Sequence, residues 1–362
     1  MVNPMLDMLL PLSQLPGITL YGYTAHVLEE MKKCRTEDKG GWVYYCPDCK
    51  TSMILYNPCN KRGCPICYRK NQIQWQKKAE RKLLPVTHYH LTFSIPEIYT
   101  GIWLKNRKDV MDSFFIAVRE AIALVGKESE LLLGSLLVFQ SHGRGMSYKP
   151  HMHCVLSGGG LDRDKKWTNI SSIPTRKMEQ VFEEIFEEEI HRRLKDSEDT
   201  QDKKKKAKQY RVYIGIHEGS GKRIIEYLSR SRNGVVINMD QEFGMDEESI
   251  EFKEIDSGVE WKTRLKKTTF IERYLNHIPP EGSVVARYYG LYSNRHKEDL
   301  RIAKDQVGDG KEEVLKPYKE LCPKCKKEMV VIAIINKNEK HKFWKYGSNH
   351  GPPKHREIIS AA

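Results

Sequence analysis

Alternation of apolar and polar side chains predicts β-strands in the middle of the chain. Successive side chains of a strand point to opposite faces, so a half-buried strand shows a two-residue repeat. Segments with this pattern are residues 88–95, 149–160 and 210–217. Residues 131–140, which contain the longest apolar stretch, and residues 235–239 are also predicted to be strands.

Apolar residues at three- and four-residue spacing predict amphipathic helices around these strands. We expect helices within residues 1–40 and at 66–84, 108–125, 178–190, 222–232 and 271–278. Thr269 and Glu272 have the spacing of a capping box for the last of them. The element order favours an α+β fold, with a central antiparallel sheet and helices on one face. Residues 162–209 are interpreted as an insertion that includes a basic run at 203–206.

No apolar stretch approaches the roughly 20 residues that a membrane span requires. No basic segment precedes the N-terminal leucines, so they do not resemble a signal peptide. We therefore expect a cytoplasmic, nucleoid-associated protein.

The charge balance indicates the partner. With 61 Lys and Arg against 48 Asp and Glu, the formal net charge is +13. Such an excess favours a polyanion, most often nucleic acid. Basic residues interleave with aromatic ones around 61–82, which predicts a DNA-contacting face, the alternative being an ordinary solvated helix. The residues assigned to this face are Arg62, Arg69, Lys70 and Trp75.

Cysteine spacing predicts zinc. Cys46 and Cys49 form one C-x-x-C pair, and Cys64 and Cys67 form a second. Each pair can present two thiolates to a tetrahedral metal ion. Because the cytosol keeps thiols reduced, its cysteines bind metals more often than they form disulfides. Leaving Cys154 aside, eight cysteines suffice for two four-thiolate sites: Cys34, Cys46, Cys49, Cys59, Cys64, Cys67, Cys322 and Cys325.

Spacing leaves the division of these eight cysteines open. In one arrangement, Cys34 and Cys59 join the C-terminal pair in a site shared between the two ends of the chain, and the two N-terminal C-x-x-C pairs form the other site. In a second, the C-terminal pair binds its own zinc with His341, His350 or His355. In a third, Cys34 and Cys59 are plain buried thiols.

A His-x-His pair provides a candidate catalytic metal site. On a strand, His151 and His153 point to one face, while Met152 and Cys154 point into the core. Two imidazoles provide half of a divalent-metal site that could polarise a phosphoryl oxygen. The alternative is a pair of ordinary surface histidines. His90 could line the same sheet, although a packed strand histidine is the simpler interpretation.

Several motifs in one order resemble the HUH-type transposases of the rolling-circle insertion sequences, distantly related to Helitrons. The resemblance covers most of the chain. It rests on Cys34-Arg-Thr, Cys46-x-x-Cys49, Tyr56-Asn-x-Cys59-x-x-x-x-Cys64-Pro-x-Cys67, His90-Leu-Thr-Phe-Ser-Ile-Pro96, Pro150-His151-Met-His153, Tyr227-Leu-Ser-Arg230, Phe270-Ile-x-Arg-Tyr-Leu-x-His277, Arg287-Tyr-Tyr-Gly290 and Cys322-Pro-x-Cys325.

The resemblance implies a ferredoxin- or RRM-like HUH nuclease with Tyr227 as nucleophile. Without it, Tyr227 would be interpreted as a core tyrosine. Members with two tyrosines carry the second where Ser231 stands, so this chain resembles a single-tyrosine version. The family also tends to show glutamine in place of Arg144. Arg230 and Arg232 could hold the scissile DNA strand, the alternative being solvated charges at the end of the helix.

The implied cofactor of the histidine pair is Mg²⁺ or Mn²⁺. We expect Gln140 as the third ligand, because a hairpin through residues 141–150 would pair it near His151. His142 and Glu226 are the rival ligands.

The implied organisation has three parts. Residues 1–85 form a helical, zinc-binding DNA-recognition region, residues 86–300 the nuclease domain, and residues 301–362 a basic zinc-binding tail. The implied function is nicking and rejoining of single-stranded DNA in transposition. The alternatives are a plasmid replication initiator or relaxase of the same chemistry, and a non-catalytic zinc-dependent DNA-binding protein.

Overall fold

The structure is a computed structural model. It describes residues 4–18, 20, 22–194, 210–217, 221–231, 243–256, 259–308, 319–337, 342–345 and 357–360. Its helices are α1 (Pro4–Leu12), α2 (Gly22–Lys32), α3 (Pro65–Glu80), α4 (Thr100–Lys105), α5 (Arg107–Ser129), α6 (Thr175–Arg193), α7 (Lys222–Ser231), α8 (Lys267–His277) and α9 (Lys297–Val307). Its strands are β1 (Gly41–Cys46), β2 (Thr51–Tyr56), β3 (His88–Ser94), β4 (Leu132–His142), β5 (Tyr148–Leu161), β6 (Trp167–Asn169), β7 (Arg211–His217), β8 (Phe243–Met245), β9 (Ser249–Asp256), β10 (Val259–Lys266), β11 (Ala286–Gly290), β12 (Val330–Ile335), β13 (Lys342–Lys345) and β14 (Glu357–Ser360).

The chain divides into two compact units, one formed by residues 1–67 with 313–362 and the other by residues 68–312. This differs from the three-part organisation expected from the sequence. The reason is strand pairing, because β12 hydrogen-bonds to β1 in the five-stranded order β14-β13-β12-β1-β2. The C-terminal segment thus completes the N-terminal sheet instead of forming a separate tail.

An antiparallel sheet in the order β11-β4-β5-β3-β7 organises the second unit, with β6 paired to β5. The predicted α+β antiparallel architecture is therefore confirmed. A separate three-stranded sheet has the order β10-β9-β8. The hydrophobic pattern did not lead us to predict this smaller sheet.

Helices cover both faces of the main sheet, which corrects the expectation of helices on one face. On the first face, α5 and α6 bury Phe114, Phe182 and Phe186 against strand residues such as Met152 and Cys154. On the second, α3, α7 and α9 contribute apolar side chains to another cluster with β4 and β5. A strand buried on both faces has a near-continuous apolar sequence, and β4 shows one between the two cores.

Two local expectations also change. Helix α6 lies in the core, so the expected insertion at 162–209 supplies part of the main apolar cluster. Helix α8 begins at Lys267 with Lys266 as its N-cap and no side-chain capping bond, so the predicted capping box does not form. The predicted strand at 235–239 and the lysine run at 203–206 lie outside the described residues. Within the described part of the chain, no helix is long and apolar enough to cross a membrane.

Candidate active site and zinc clusters

Strand register places polar side chains in two rows on the second face of the main sheet. His151 of β5 lies opposite Ser94 of β3 and Gln140 of β4. His153, two residues on, lies opposite Thr92. Directly opposed residues of antiparallel strands point to the same face, so the two histidines share a surface with Gln140. Met152 and Cys154 are fully buried on the other face, as the alternation predicts.

The two histidines are arranged as neighbouring ligands of one ion. Their Nε2 atoms are 3.1 Å apart. Adjacent ligands at about 2.1 Å from an octahedral ion would be separated by about 3.0 Å. His151 Nδ1 lies 2.7 Å from the carbonyl of Lys149, which can only accept, so its Nε2 presents a lone pair in the neutral ring. Burial lowers the pKa of His151 to about 4 and that of His153 well below its ordinary value, which favours the neutral form that binds metal.

Gln140, the third ligand predicted from the sequence, is the neighbour of His151 across the β4–β5 register. It is buried opposite His151. Within the part of the chain that the structure describes, no third His, Cys, Asp or Glu forms a ligand cluster with His151 and His153. His142 interacts electrostatically with both His151 and His153, so it stays a rival ligand together with Glu226. Gln140 stays our prediction.

Tyr227 lies beside the histidines. Its ring centroid is 5.7 Å from that of His153 and 5.9 Å from that of His90. Although Ile224 and Leu228 of the same helix are buried, Tyr227 is 52% exposed. It therefore occupies the edge of the apolar face of α7, with about half of its surface in solvent.

His90 belongs to this group, contrary to the simpler interpretation of it as a packed strand residue. Its Nε2 is 2.9 Å from Nδ1 of His153, and Thr92 Oγ1 is 3.1 Å from the same nitrogen. These contacts can hold the His153 ring with Nε2 directed toward His151. The fully buried histidine of this strand is His88, which bonds to the hydroxyl of Tyr292 at 2.7 Å. Only the β3–β5 register distinguishes these roles.

Helix α7 is held by α3 on one side of Tyr227. Gln72 Nε2 donates to Ser229 Oγ at 3.1 Å, and Ser229 Oγ donates to the carbonyl of Glu226 at 2.7 Å. These bonds and the buried isoleucines of α7 fix the rotation of the helix that carries Tyr227.

The eight predicted zinc ligands form two four-cysteine clusters in the first unit. The base cluster consists of Cys34, Cys59, Cys64 and Cys67, and the tip cluster consists of Cys46, Cys49, Cys322 and Cys325. Sulfur–sulfur distances are 3.5–3.7 Å in the base cluster, and Cys46 lies 3.6 Å from Cys325 in the tip cluster. Tetrahedral Zn–S bonds of about 2.3 Å place ligands about 3.8 Å apart, so both clusters fit zinc.

Electrostatics also suits metal binding. Backbone N–H groups, that of Cys325 foremost, lower the pKa of the Cys322 thiol to about 6. Hydrogen bonds from neighbouring thiols lower the pKa of Cys34 far below its ordinary value. The neighbouring Cys34 thiol raises the pKa of Cys59 and that of Cys64, and the Cys325 thiol raises the pKa of Cys49 to about 12. Each cluster thus favours the thiolate, the form that binds zinc, at only part of its sulfurs.

The division of the cysteines between the two clusters differs from the first arrangement considered from the sequence, in which Cys34 and Cys59 joined the C-terminal pair. A site is shared between the two ends of the chain, but Cys46 and Cys49 join the C-terminal pair in place of Cys34 and Cys59. The cause is the β1–β2 hairpin, whose turn carries Cys46 and Cys49 at the tip. Cys34 and Cys59 flank its base, so neither is a plain buried thiol. His341, His350 and His355 lie outside the described residues.

The residues expected on a DNA-contacting face have different environments. Lys70 is exposed and Arg62 is half-buried. Trp75 is 7% exposed and packs in the core of the second unit, so its ring is not available to stack on DNA. The side chains of Arg69 and Arg230, and all of Arg232, lie outside the described residues.

Comparisons with known proteins identify the family. A model described as "Transposase zinc-binding domain" matches residues 18–95, and one described as "Putative transposase" matches residues 134–299. The chain belongs to the insertion-sequence transposases. This confirms the resemblance inferred from the motifs and makes the protein a DNA-binding, DNA-processing enzyme of transposition.

Individual relatives agree with this family. The transposase is 25% identical over 354 residues to "Putative transposase y4qJ" of Sinorhizobium fredii, covering 86% of this chain and 89% of the relative. It is 28% identical over 162 residues to "Transposase for insertion sequence element IS801" of Pseudomonas savastanoi pv. phaseolicola, covering 41% of this chain and 39% of the relative. No solved structure matches the transposase.

Proposed function

We propose that this transposase nicks and rejoins single-stranded DNA through a 5′-phosphotyrosine intermediate on Tyr227, in rolling-circle-type transposition. One observation carries the proposal: an exposed tyrosine ring lies 5.7 Å from His153, whose Nε2 is 3.1 Å from that of His151. The proposed nucleophile on α7 would thus face the two proposed metal ligands on β5. The enzyme would act in the cytoplasm, at the nucleoid.

The tyrosine supplies the covalent step. Its Oη loses a proton and forms a bond to phosphorus, while the bond from phosphorus to the 3′ oxygen breaks. The departing oxygen takes up a proton and becomes a 3′-hydroxyl. The phosphodiester energy is kept in the phosphotyrosine, so the reverse attack by a 3′-hydroxyl can rejoin DNA without a nucleotide cofactor.

His151, His153 and Gln140 would hold the catalytic metal, Mg²⁺ or Mn²⁺, with Mn²⁺ better suited to imidazole ligands. When bound, this ion supplies neutralisation of the charge that develops on phosphate oxygens. The chain itself provides neutral imidazoles and, through His90 and Thr92, contacts that orient His153.

We also propose that the base and tip clusters hold one structural zinc each. The near-tetrahedral sulfur spacing and the match of residues 18–95 to a zinc-binding transposase domain support this assignment. A zinc in the tip cluster would fix the C-terminal segment to the hairpin β1–β2.

The alternatives explain less. A non-catalytic DNA-binding protein gives no reason for an exposed tyrosine beside two histidines whose lowered pKa values favour the neutral form. A replication initiator or relaxase would share the chemistry, and the names of both relatives favour transposition.

Adduct formation tests the proposal. Single-stranded oligonucleotides spanning the ends of the element that encodes the chain are incubated with protein and Mn²⁺, and covalent complexes are separated on a denaturing gel. Wild type should give an adduct, and Tyr227→Phe should give none because the ring stays while the attacking oxygen is lost. Tyr289→Phe, on a tyrosine packed against the opposite core, is the matched control and should react normally.

Two results would contradict the proposal. An undiminished adduct with Tyr227→Phe would move the nucleophile elsewhere. Cleavage that persists after a chelator has removed Mn²⁺, while the zinc content is unchanged, would exclude the proposed metal role.

A further inference from the structure

Strand β7 adds two polar side chains to the sheet face that carries His151 and His153, here called the catalytic face. Arg211 lies in register with Ser94, which pairs with His151, and Tyr213 lies in register with Thr92, which pairs with His153. Resting on the proposed function, we propose that Tyr213 stacks on a base of the single-stranded substrate beside the scissile phosphate, and that Arg211 pairs with the DNA backbone there.

Alternation along β7 shows that these side chains face the catalytic surface. Val212 is 7% exposed and packs in the α5–α6 core, and Ile214 packs against the same core. Arg211 and Tyr213 therefore point to the opposite face, the one that carries the two histidines. Gly215 lies in register with His90, so β7 contributes no side chain at that position.

The exposure of Tyr213 is high for a large side chain on a sheet. It is 73% exposed, more than any other large hydrophobic residue among those the structure describes. A ring left in solvent contributes little to folding. It is available for stacking, which single-strand-binding proteins use because every base has a π-face.

The position also fits a substrate path. Neighbouring strands are about 4.8 Å apart, so Tyr213 on β7 is about 10 Å from the histidine row on β5. A single DNA strand whose scissile phosphate lies at His151, His153 and Tyr227 would pass over β3 and β7. Arg211 is an exposed cation on this path, and the exposed Lys149 precedes His151 by two residues on the same face.

Binding measurements test the stacking role. Fluorescence anisotropy with labelled oligothymidine is suitable because stacking tolerates any base. Tyr213→Ala should raise Kd by about five- to 150-fold, the range for loss of one base–aromatic stack. Tyr213→Phe keeps the ring and should bind within about twofold of wild type. Met245→Ala removes a 59% exposed side chain of the other sheet and should leave Kd unchanged.

The arginine has its own readout. Each phosphate contact to single-stranded DNA contributes about 0.7 to the slope of log K against log salt. Arg211→Gln should lower that slope by about this amount, and an unchanged slope would remove Arg211 from the path.

Three outcomes would overturn the role of Tyr213. The first is binding of Tyr213→Ala with the Kd of wild type. The second is a loss of binding in Tyr213→Phe as large as in Tyr213→Ala, which would indicate that the hydroxyl matters. The third is a change of self-association of Tyr213→Ala in sedimentation without a change in Kd, which would indicate a protein partner for β7. Adduct formation at saturating DNA separates this inference from the proposed function. Tyr213→Ala should still form the Tyr227 adduct there, whereas absence of an adduct in wild type would count against the function itself.

Discussion

Replacing all four cysteines of the tip cluster with alanine should leave the chain with the base-cluster zinc alone. The structure assigns each cluster a complete set of four ligands, so the loss of one set leaves the other intact. The alternative grouping considered from the sequence would divide the same four substitutions between both sites. It would remove two ligands from each and leave no tetrahedral site.

The geometry makes the two groupings exclusive. Strand β1 has six residues, and a strand rises about 3.3 Å per residue, so the tip and base of the hairpin are about 20 Å apart. Zinc–sulfur bonds of about 2.3 Å cannot join thiolates across that distance. Within each cluster the measured sulfur distances of 3.5–3.7 Å are close to the tetrahedral value of about 3.8 Å.

Inductively coupled plasma mass spectrometry on purified protein gives zinc per chain. Wild type should contain one zinc per cluster, and the tip-cluster variant half as much. A second variant, with Cys46, Cys49, Cys64 and Cys67 replaced, disrupts both clusters of the structure and should contain none. The grouping would be refuted if the tip-cluster variant contained no zinc and the second variant contained half as much zinc per chain as wild type.

The loss of metal should also be visible in stability. Structural zinc provides about 10–16 kcal/mol in small peptides, comparable with the whole stability of a domain. Hydrogen exchange at the β1–β12 pairs should therefore accelerate strongly in the tip-cluster variant. Unchanged protection there would show that strand pairing alone holds the C-terminal segment.

Other predictions concern the catalytic face and the core. Gln140→Ala should weaken Mn²⁺ binding at least about tenfold, as measured by electron paramagnetic resonance, whereas Gln140→Glu should retain binding. Unchanged Mn²⁺ binding in the alanine variant would exclude Gln140 as a ligand. Phe182→Ala empties a fully buried position and should lower the free energy of unfolding in urea by about 3–5 kcal/mol. Gly290→Ala should prevent stable folding, because a Cβ there would lie 1.8 Å from the carbonyl oxygen of Leu133 at a φ of +55°. Gly282→Ala is its matched control: with φ +67° and no atom within 4 Å, it should cost only about 1–2 kcal/mol.

Many helices and strands could be predicted from the sequence, because hydrophobic periodicity depends on residues that are close together in the chain. Strands β3, β4, β5 and β7 and helices α3, α5, α6, α7 and α8 occur near their predicted positions. The alternation around His151 also predicted correctly that Met152 and Cys154 are buried. The hairpins β1–β2 and β9–β10 were not predicted, although Ile250 and Phe252 of β9 alternate with charged residues as in a half-buried strand.

Motif order determined the family, and residue type determined the chemistry available, including thiolates for zinc and imidazoles for a catalytic ion. Only the tertiary structure decided which of these residues meet. The tip of a hairpin lies a full strand length from its base, so neighbouring C-x-x-C pairs joined different clusters. Likewise, Trp75 proved buried, and His90 and Tyr213 were placed on the catalytic face. Periodicity shows that a side chain points to one face of a strand, but the neighbours on that face depend on pairing between distant strands.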